Sequence, residues 1–202
     1  MAELTPRERR HQKTKQAILQ AAREIISEKG VAGLSLREVA DRIDYSPAGL
    51  YEYFNSKDEI IAAVSEEGFE RLSAYLNRVP TDLSPAKRLL ELGVAYIDFA
   101  RHNPEHFMLI FTWLPPKKIL LIGSVDSDTP YGILRQAVEA FMQAEGISLP
   151  GGRTVDDLAY ILWAHVHGMA MLQQTVFRHD GYEFGSLDHW ALEVLSRGLK
   201  AE

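Results

Sequence analysis

Residues 33–61 read GLSLREVADRIDYSPAGLYEYFNSKDEII, and the spacing inside this run decides the fold. Ser35 followed three residues on by Glu38 is a pair that caps a helix start reciprocally. Leu36, Val39, Ala40 and Ile43 then recur at helical spacing, but for barely two turns. Ser46-Pro47 opens a second short helix, with a hydroxyl at the cap and a proline at the first helical position, where its missing N–H has no intrahelical partner to lose. Leu50 and Phe54 stand one turn apart on it. Asn55-Ser56 breaks it, and Ser56 with Glu59 opens a long helix to about Val79. Two short helices joined by Ile43-Asp44-Tyr45-Ser46 predict a helix-turn-helix. The same spacing also fits a plain three-helix bundle with tyrosines packed at its edge.

Outward from this run the chain reads as helix in both directions. Upstream, Ile18, Ala21, Ala22, Ile25 and Ile26 form one apolar stripe on a helix that begins in a basic tail and stops near Gly30. Downstream, Ser84-Pro85 opens a helix to Arg101, and Asn103-Pro104 begins a short one through Trp113. Residues 116–130 read as a loop with an apolar island from Ile119 to Ile122. Thr129-Pro130 opens a helix to Glu145, Thr154 caps a long one to about Arg178, and Ser186 opens the last. No alternating strand pattern appears. The expectation is an all-α chain of about nine helices. Residues 1–60 form a three-helix module, and a long fourth helix, a candidate lever, joins it to a larger helical domain over residues 61–202.

Composition excludes several function classes. The 202 residues contain no cysteine, so disulfides, thiolate metal sites and a cysteine nucleophile are absent. No run of 18 apolar residues predicts a membrane span, and the amino terminus lacks the apolar stretch of a secretory signal, so a cytoplasmic protein without membrane partners is expected. Net charge is −6, from 22 Lys and Arg against 28 Asp and Glu. That charge is unevenly placed: residues 1–54 carry 9 basic and 8 acidic groups, residues 55–202 carry 13 and 20. A near-neutral module with a basic tail, fused to an acidic body, hints at an anionic partner for the module alone.

The run Ser46-Pro47-Ala48-Gly49-Leu50-Tyr51-Glu52-Tyr53-Phe54, followed by Ser56-Lys57-Asp58-Glu59-Ile60, has the pattern S-x-x-x-L-Y-x-[HY]-F then S-K-x-x-[IL]. Over about residues 12–62 the chain resembles the DNA-binding segment of the TetR family of bacterial transcriptional regulators. The resemblance implies which positions meet double-stranded DNA. Arg37 would reach a base or phosphate from the second helix, and Ser35 and the basic residues before Lys15 would add backbone contacts. Ser46, with the helix amides it caps, would face a phosphate. Pro47, Ala48 and Gly49 would lie nearest the base edges, small enough for close approach and able to touch thymine methyls. Tyr51 and Tyr53 would offer hydroxyls to phosphate, and Lys57 a point charge. One position departs from the family: where it usually has a glycine in the turn, this chain has Asp44. Aspartate tolerates the left-handed conformation, but its carboxylate near phosphates opposes binding.

The resemblance also implies a dimerising, effector-binding domain after residue 60. Residues 159–172, AYILWAHVHGMAML, are apolar almost all round apart from His165 and His167, and Ala164 and Gly168 would let another helix approach closely. Leu187, Trp190, Ala191, Val194, Leu195 and Gly198 make a stripe on the last helix. Two such helices per chain would build a homodimer matched to a two-fold operator; the alternative is that both stripes pack only within one chain. Trp163, His167 and Gly168 are similar to a Trp-x-x-x-His-Gly signature of one TetR subgroup, and Asn103-Pro104-Glu105-His106-Phe107 to an Asn-Pro-x-x-Phe stretch common there. Tyr96, Phe99, Phe107, Phe111, Trp113, Tyr160, Trp163 and His167 could line a pocket for a small, largely apolar effector, or be ordinary aromatic core.

No metal or cofactor is expected. His102 and His106 stand at i, i+4, but His165 and His167 at i, i+2 point apart, and no acidic pair reinforces either set. No nucleophile elbow, phosphate loop or metalloenzyme motif appears, so the expectation is a regulator, read as a repressor, and not an enzyme. An architectural DNA-binding protein indifferent to small molecules and a helical enzyme are the alternatives.

Overall fold

The structure is a computed structural model that describes residues 5–113, 127–178 and 181–199. Among these residues nine α-helices and two short 3₁₀ turns form, with no strand. The island Ile119–Ile122 lies outside the described residues. No helix among them is long and apolar enough to cross a membrane.

The chain divides into two compact units. The first runs through Gly68 and takes in the stretch from Glu105; the second comprises Phe69–Pro104 and the residues from Ser127 onward. The expected division fell at residue 60. Sequence spacing could not assign the short helix after Asn103, whose apolar side chains join the first unit's core.

In the first unit, α1 (Pro6–Lys29) starts at a capping box that the sequence reading passed over: Thr5 accepts from the Glu8 N–H, and the Glu8 carboxylate takes the Thr5 N–H. Its buried face is Ile18, Leu19, Ala21, Ala22, Ile25 and Ile26. Short α2 (Leu36–Arg42) and α3 (Pro47–Leu50) pack on it through Val39, Ala40 and Leu50, with Phe54 and the start of α4 (Lys57–Leu76) completing the cluster. Leu109 of α6 (Pro104–Thr112) joins the same cluster, and Trp113 packs against it.

Two expected capping boxes form only in part. Ser35 accepts from the Glu38 N–H at 3.2 Å, but the Glu38 carboxylate pairs with Lys29 instead of turning back to Ser35. Ser56 accepts from the Glu59 N–H at 3.2 Å, and the Glu59 carboxylate reaches past it to the Asn55 N–H at 2.8 Å. In each case the carboxylate satisfies a stronger or better placed donor nearby.

In the second unit, α5 (Pro85–His102) packs against α7 (Pro130–Glu145), α8 (Val155–Gln174) and α9 (Gly185–Gly198). A capping box of Thr154 and Asp157 opens α8, and Thr129 caps α7. The last helix begins without a side-chain cap, at Phe184, so Ser186 does not open it. Its place is fixed by tertiary bonds: buried Asp188 accepts from Arg101 Nη2 of α5 and from Gln173 Nε2 of α8, both at 2.7 Å.

Candidate nucleic-acid interface and a buried polar cluster

The turn between α2 and α3 is built on one strained residue. Asp44 has φ 52°, and the Tyr45 N–H reaches back to the Ala40 carbonyl at 2.9 Å. That six-residue return with a left-handed residue inside it is a Schellman ending. It stops α2 and sends the chain into Ser46, whose Oγ accepts from the Gly49 N–H at 3.0 Å. The Ser46 O–H itself can still donate. After Leu50 the chain keeps turning, with Tyr53 and Phe54 N–H groups both bonded to the Leu50 carbonyl at 2.9 and 3.0 Å.

This geometry brings most of the expected DNA contacts to the surface. Arg37, Ser35, Ser46, Pro47, Ala48 and Tyr51 are exposed, and Lys57 is half-buried at the start of α4. Tyr51 is 58 % exposed, large for an aromatic side chain with an apolar cluster beneath it. Two positions have structural duties that the spacing did not reveal. Gly49 lies under the Tyr45 ring, where an added Cβ would come within 2.6 Å of Tyr45 Cε1. Tyr53 is half-buried, stacked on His11 of α1 at 4.5 Å and edge-on to Tyr45 at 6.2 Å. The Tyr53 hydroxyl and charge beside it push the Tyr45 phenol above its ordinary pKa.

The cations of this unit fall into two sets. Arg23, Lys29 and Arg42 are engaged within the unit: Arg23 with Glu67, Lys29 with Glu38, and Arg42 with Glu28 through two bonds of 2.8 Å and with Glu24 at 3.6 Å. Among the described residues, Arg7, Arg10, Lys13, Lys15, Arg37 and Lys57 make no ion pair. Lys15 places its ammonium 5.4 Å from the ring centre of Phe54, in the segment between α3 and α4. Pairing within the unit therefore separates braced cations from unpaired ones, and the unpaired ones share the short helices with the exposed carboxylates Asp41, Asp44 and Glu52.

In the second unit the sequence-selected aromatics separate into groups. Tyr96 of α5 is buried, and its hydroxyl oxygen accepts from Trp163 Nε1 of α8 at 3.2 Å and lies 2.8 Å from His167 Nδ1. Trp163 and His167 are one helical turn apart, which is why both reach the same hydroxyl. Burial pushes the Tyr96 phenol up and the His167 imidazole down, so both stay neutral near pH 7. An indole N–H only donates, so the phenol oxygen accepts there and has its own hydrogen to give to Nδ1. Phe99 is buried in the same unit, edge-on to Tyr75 at 5.7 Å. Phe107 and Phe111 pack edge to face at 5.2 Å in the first unit, where Trp113 also packs. Tyr160 is 53 % exposed on α8. An open surface cavity of about 460 Å³ lies elsewhere, lined by Pro150, Gly151, Gly152, Arg153 and Asp157.

The helices assigned to dimerisation have two faces. On α8, Ala159, Leu162, Val166 and Ala170 are buried, while Ile161, Ala164 and His165 are exposed and Gly168 is half-buried. On α9, Leu187, Trp190, Val194 and Gly198 point outward, and Ala191 is half-buried. Half-buried Leu195 packs against the core cluster of Tyr131, Val138, Leu158, Ala159 and Leu162. It lies almost one turn from Leu192, on the inner side of the helix.

A model of the bacterial regulatory proteins of the tetR family matches residues 18–64, and one of the tetracyclin repressor-like C-terminal domain matches residues 89–187. The chain belongs to the TetR family. An HTH-type transcriptional regulator of Bacillus subtilis, YobS, is 31 % identical over 94 residues, which is 46 % of this chain and 49 % of that one. The chain thus spans about half the length of that curated relative. A tetR-family regulatory protein from Rhodococcus RHA1 shares the fold with a TM-score of 0.73 at 19 % identity, over 94 % of this chain and 98 % of that one. The transcriptional regulator FadR of Bacillus subtilis, solved in complex with stearoyl-CoA, does so with a TM-score of 0.68 at 17 % identity, over 91 % and 98 %. These TetR relatives are transcriptional regulators rather than enzymes.

Proposed function

We propose that this chain is a DNA-binding transcriptional regulator that works as a homodimer on a two-fold operator. It acts as a repressor, released when a small, largely apolar effector enters the second unit. The observation that carries the DNA reading is the partition of cations in the first unit. Three are neutralised by neighbouring carboxylates, and six make no ion pair, among them Arg37 on α2, Lys57 at the start of α4 and Lys15 beside Phe54. Phosphates are the partner that such a surface fits, with Tyr51 and Ser46 as neutral donors beside them. Pro47 and Ala48 give close approach but no polar base readout, so sequence preference would rest on methyl contacts, Arg37 and DNA shape.

The effector reading rests on the Tyr96–Trp163–His167 cluster. A hydroxyl, an indole N–H and an imidazole within an apolar unit are the few polar fixtures that orient an apolar ligand. The fold relative in complex with stearoyl-CoA suggests acyl-CoA thioesters and free fatty acids as the first probes.

Selection of duplexes from a random pool, followed by fluorescence anisotropy on the enriched sequence, tests the first half. Lys57→Ala is expected to flatten the plot of log K against log salt by about one unit, and Tyr51→Ala to weaken binding at every salt concentration. Unchanged affinity of both variants at low salt would remove these residues from the interface. The acyl probes test the second half: a bound effector raises the melting temperature and lowers operator affinity. Binding to DNA that no probe alters would favour an architectural role.

A further inference from the structure

Residues 44–54, DYSPAGLYEYF, make the turn, α3 and the segment after it, and contain no Arg, Lys, Asn, Gln, His or Thr. Arg and Lys are the side chains that pair with guanine, and Asn and Gln those that pair with adenine. α3 therefore carries none of the four. At its start the exposed side chains are Ser46, Pro47 and Ala48. Ser46 Oγ accepts from the Gly49 N–H at 3.0 Å. Pro47 has no N–H to give, and the Ala48 side chain is a single methyl. Gly49 is kept bare, because an added Cβ would come within 2.6 Å of Tyr45 Cε1. Tyr53 is half-buried and stacked on His11 at 4.5 Å. The charged groups of this stretch are both carboxylates, Asp44 in the turn and Glu52 beyond Leu50. What the first turn of α3 offers a groove is carbon: the Pro47 ring and the Ala48 methyl, with the 38 % exposed Tyr45 ring against Gly49.

We propose that this face reads the C5 methyl group of a pyrimidine in the major groove, and that it reads the methyl rather than the base that carries it. This rests on the DNA reading above and names the group recognised. In a helix-turn-helix the N-terminal residues of the second helix meet the base edges, which here are Pro47 and Ala48. Among the groups that a base pair shows in the major groove, the C5 methyl is the apolar one. Carbon gains by covering it, whereas covering an amino or carbonyl group there strips water from it without supplying a partner. Thymine and 5-methylcytosine are therefore equivalent to this surface, although they differ in the group at C4. A site with cytosine at the contacted position binds weakly until C5 is methylated, so occupancy responds to cytosine methylation of the duplex. Arg37 and Lys57, which make no ion pair, attract phosphates whether or not a methyl is present. Salt acts on that attraction, and methyl content acts on the contact with α3, so the two separate in measurement.

Base analogues in the duplex selected from the random pool test this on the unaltered chain. Each thymine is replaced in turn by deoxyuridine, which removes the methyl and keeps the pairing. At one or more positions the expected loss of affinity by anisotropy is about fourfold, the value of one methyl taken out of water, with an unchanged salt slope. At such a position a cytosine–guanine pair is expected to bind as weakly as uracil–adenine, and 5-methylcytosine–guanine within about twofold of thymine–adenine. Ala48→Gly, checked as folded by circular dichroism, is expected to bring the thymine-to-uracil ratio below about twofold while the salt slope stays. Uracil tolerated at every position, or a cytosine whose methylation restores nothing, overturns the methyl reading while the DNA reading stands. So does unmethylated cytosine bound tighter than uracil, which would assign the contact to the Asp44 or Glu52 carboxylate and the cytosine amino group. A ratio that Ala48→Gly leaves unchanged overturns the assignment to the first turn of α3. A pool from which no duplex is enriched at low salt overturns both readings.

Discussion

The left-handed residue at the turn gives a direct test of how the head is assembled. Asp44 sits at φ 52°, followed by the Tyr45 N–H bond to the Ala40 carbonyl that ends α2. An L-residue held left-handed costs about 1–2 kcal/mol, and less for aspartate, whose short side chain bonds locally. Glycine removes that strain but adds freedom to the unfolded chain, so Asp44→Gly is expected to stabilise the first unit by about 0.5 kcal/mol. Asp44→Val puts a branched Cβ into the same conformation and is expected to cost at least about 1 kcal/mol. Asp44→Asn keeps the conformation and removes the charge, so its stability should stay within about 0.5 kcal/mol. The charge has its own signature on DNA. Opposite a phosphate at about 8 Å in water, the exposed carboxylate opposes binding by about 0.5 kcal/mol. Asn and Gly should therefore both bind a duplex roughly twofold tighter at low salt, with the gain fading as screening shortens toward about 8 Å at physiological ionic strength. Denaturant unfolding gives the stability order and anisotropy the affinities. A valine variant as stable as the parent would show that no left-handed residue is required there. An asparagine variant with unchanged affinity would place the turn away from the phosphates.

Two further perturbations address the second unit. Burial depresses the His167 pKa below its ordinary value of 6.5, so the unfolded chain takes the proton more readily than the folded one. The stabilisation is complete above about pH 6.5 and is lost as pH falls below it. Melting scans across pH 5–8 should show that loss, and His167→Gln should flatten it; an identical pH profile would separate the imidazole from the fold's acid sensitivity. Asp188→Ala leaves Gln173 and Arg101 without a buried acceptor that each holds at 2.7 Å. The expected loss is about 1–3 kcal/mol, read by denaturant unfolding, together with faster hydrogen exchange in α9; unchanged exchange there would mean that the apolar contacts of Leu192 and Leu195 suffice to hold the helix.

How much of this was legible in the sequence depends on the range of the interaction. Thr129-Pro130 and Thr154 announced their helices because a cap joins groups three residues apart, which any local pattern reveals. Asp44 was legible only through the resemblance, which has a glycine at that turn. Ser186 was misleading in the same terms: a hydroxyl near a helix start is only a potential cap, and α9 begins at Phe184 because Asp188 ties it to α5 and α8. A buried carboxylate looks like a surface carboxylate until its partners, 15 and 87 residues distant, are known. The last helix shows a geometric limit. Six apolar positions from Leu187 to Gly198 span more of the helix than one face can hold, and spacing alone cannot say which side is inward. The structure divides them, with Leu187, Trp190 and Val194 out and Leu195 in.

Charge shows the same limit from the other side. With 9 basic and 8 acidic residues, positions 1–54 look nearly neutral, and only the basic tail hints at an anionic partner. Pairing changes that sum into a pattern. Glu24, Glu28 and Glu38 are drawn onto Arg42 and Lys29, and Glu67 onto Arg23. These bonds brace α1 against α2 and α4. The same carboxylates that make the composition look unhelpful therefore neutralise the cations that brace the helices. They leave Arg7, Lys15, Arg37 and Lys57 to set the field around α3. Reversing one of the bracing charges, as in Glu28→Lys, should then act chiefly on stability, whereas Lys57→Ala should act chiefly on the salt dependence of DNA binding. If Glu28→Lys instead raised DNA affinity as much as Lys57→Ala lowers it, with no loss of stability, the bracing charges would belong to the same field as the outward ones and the partition would fail.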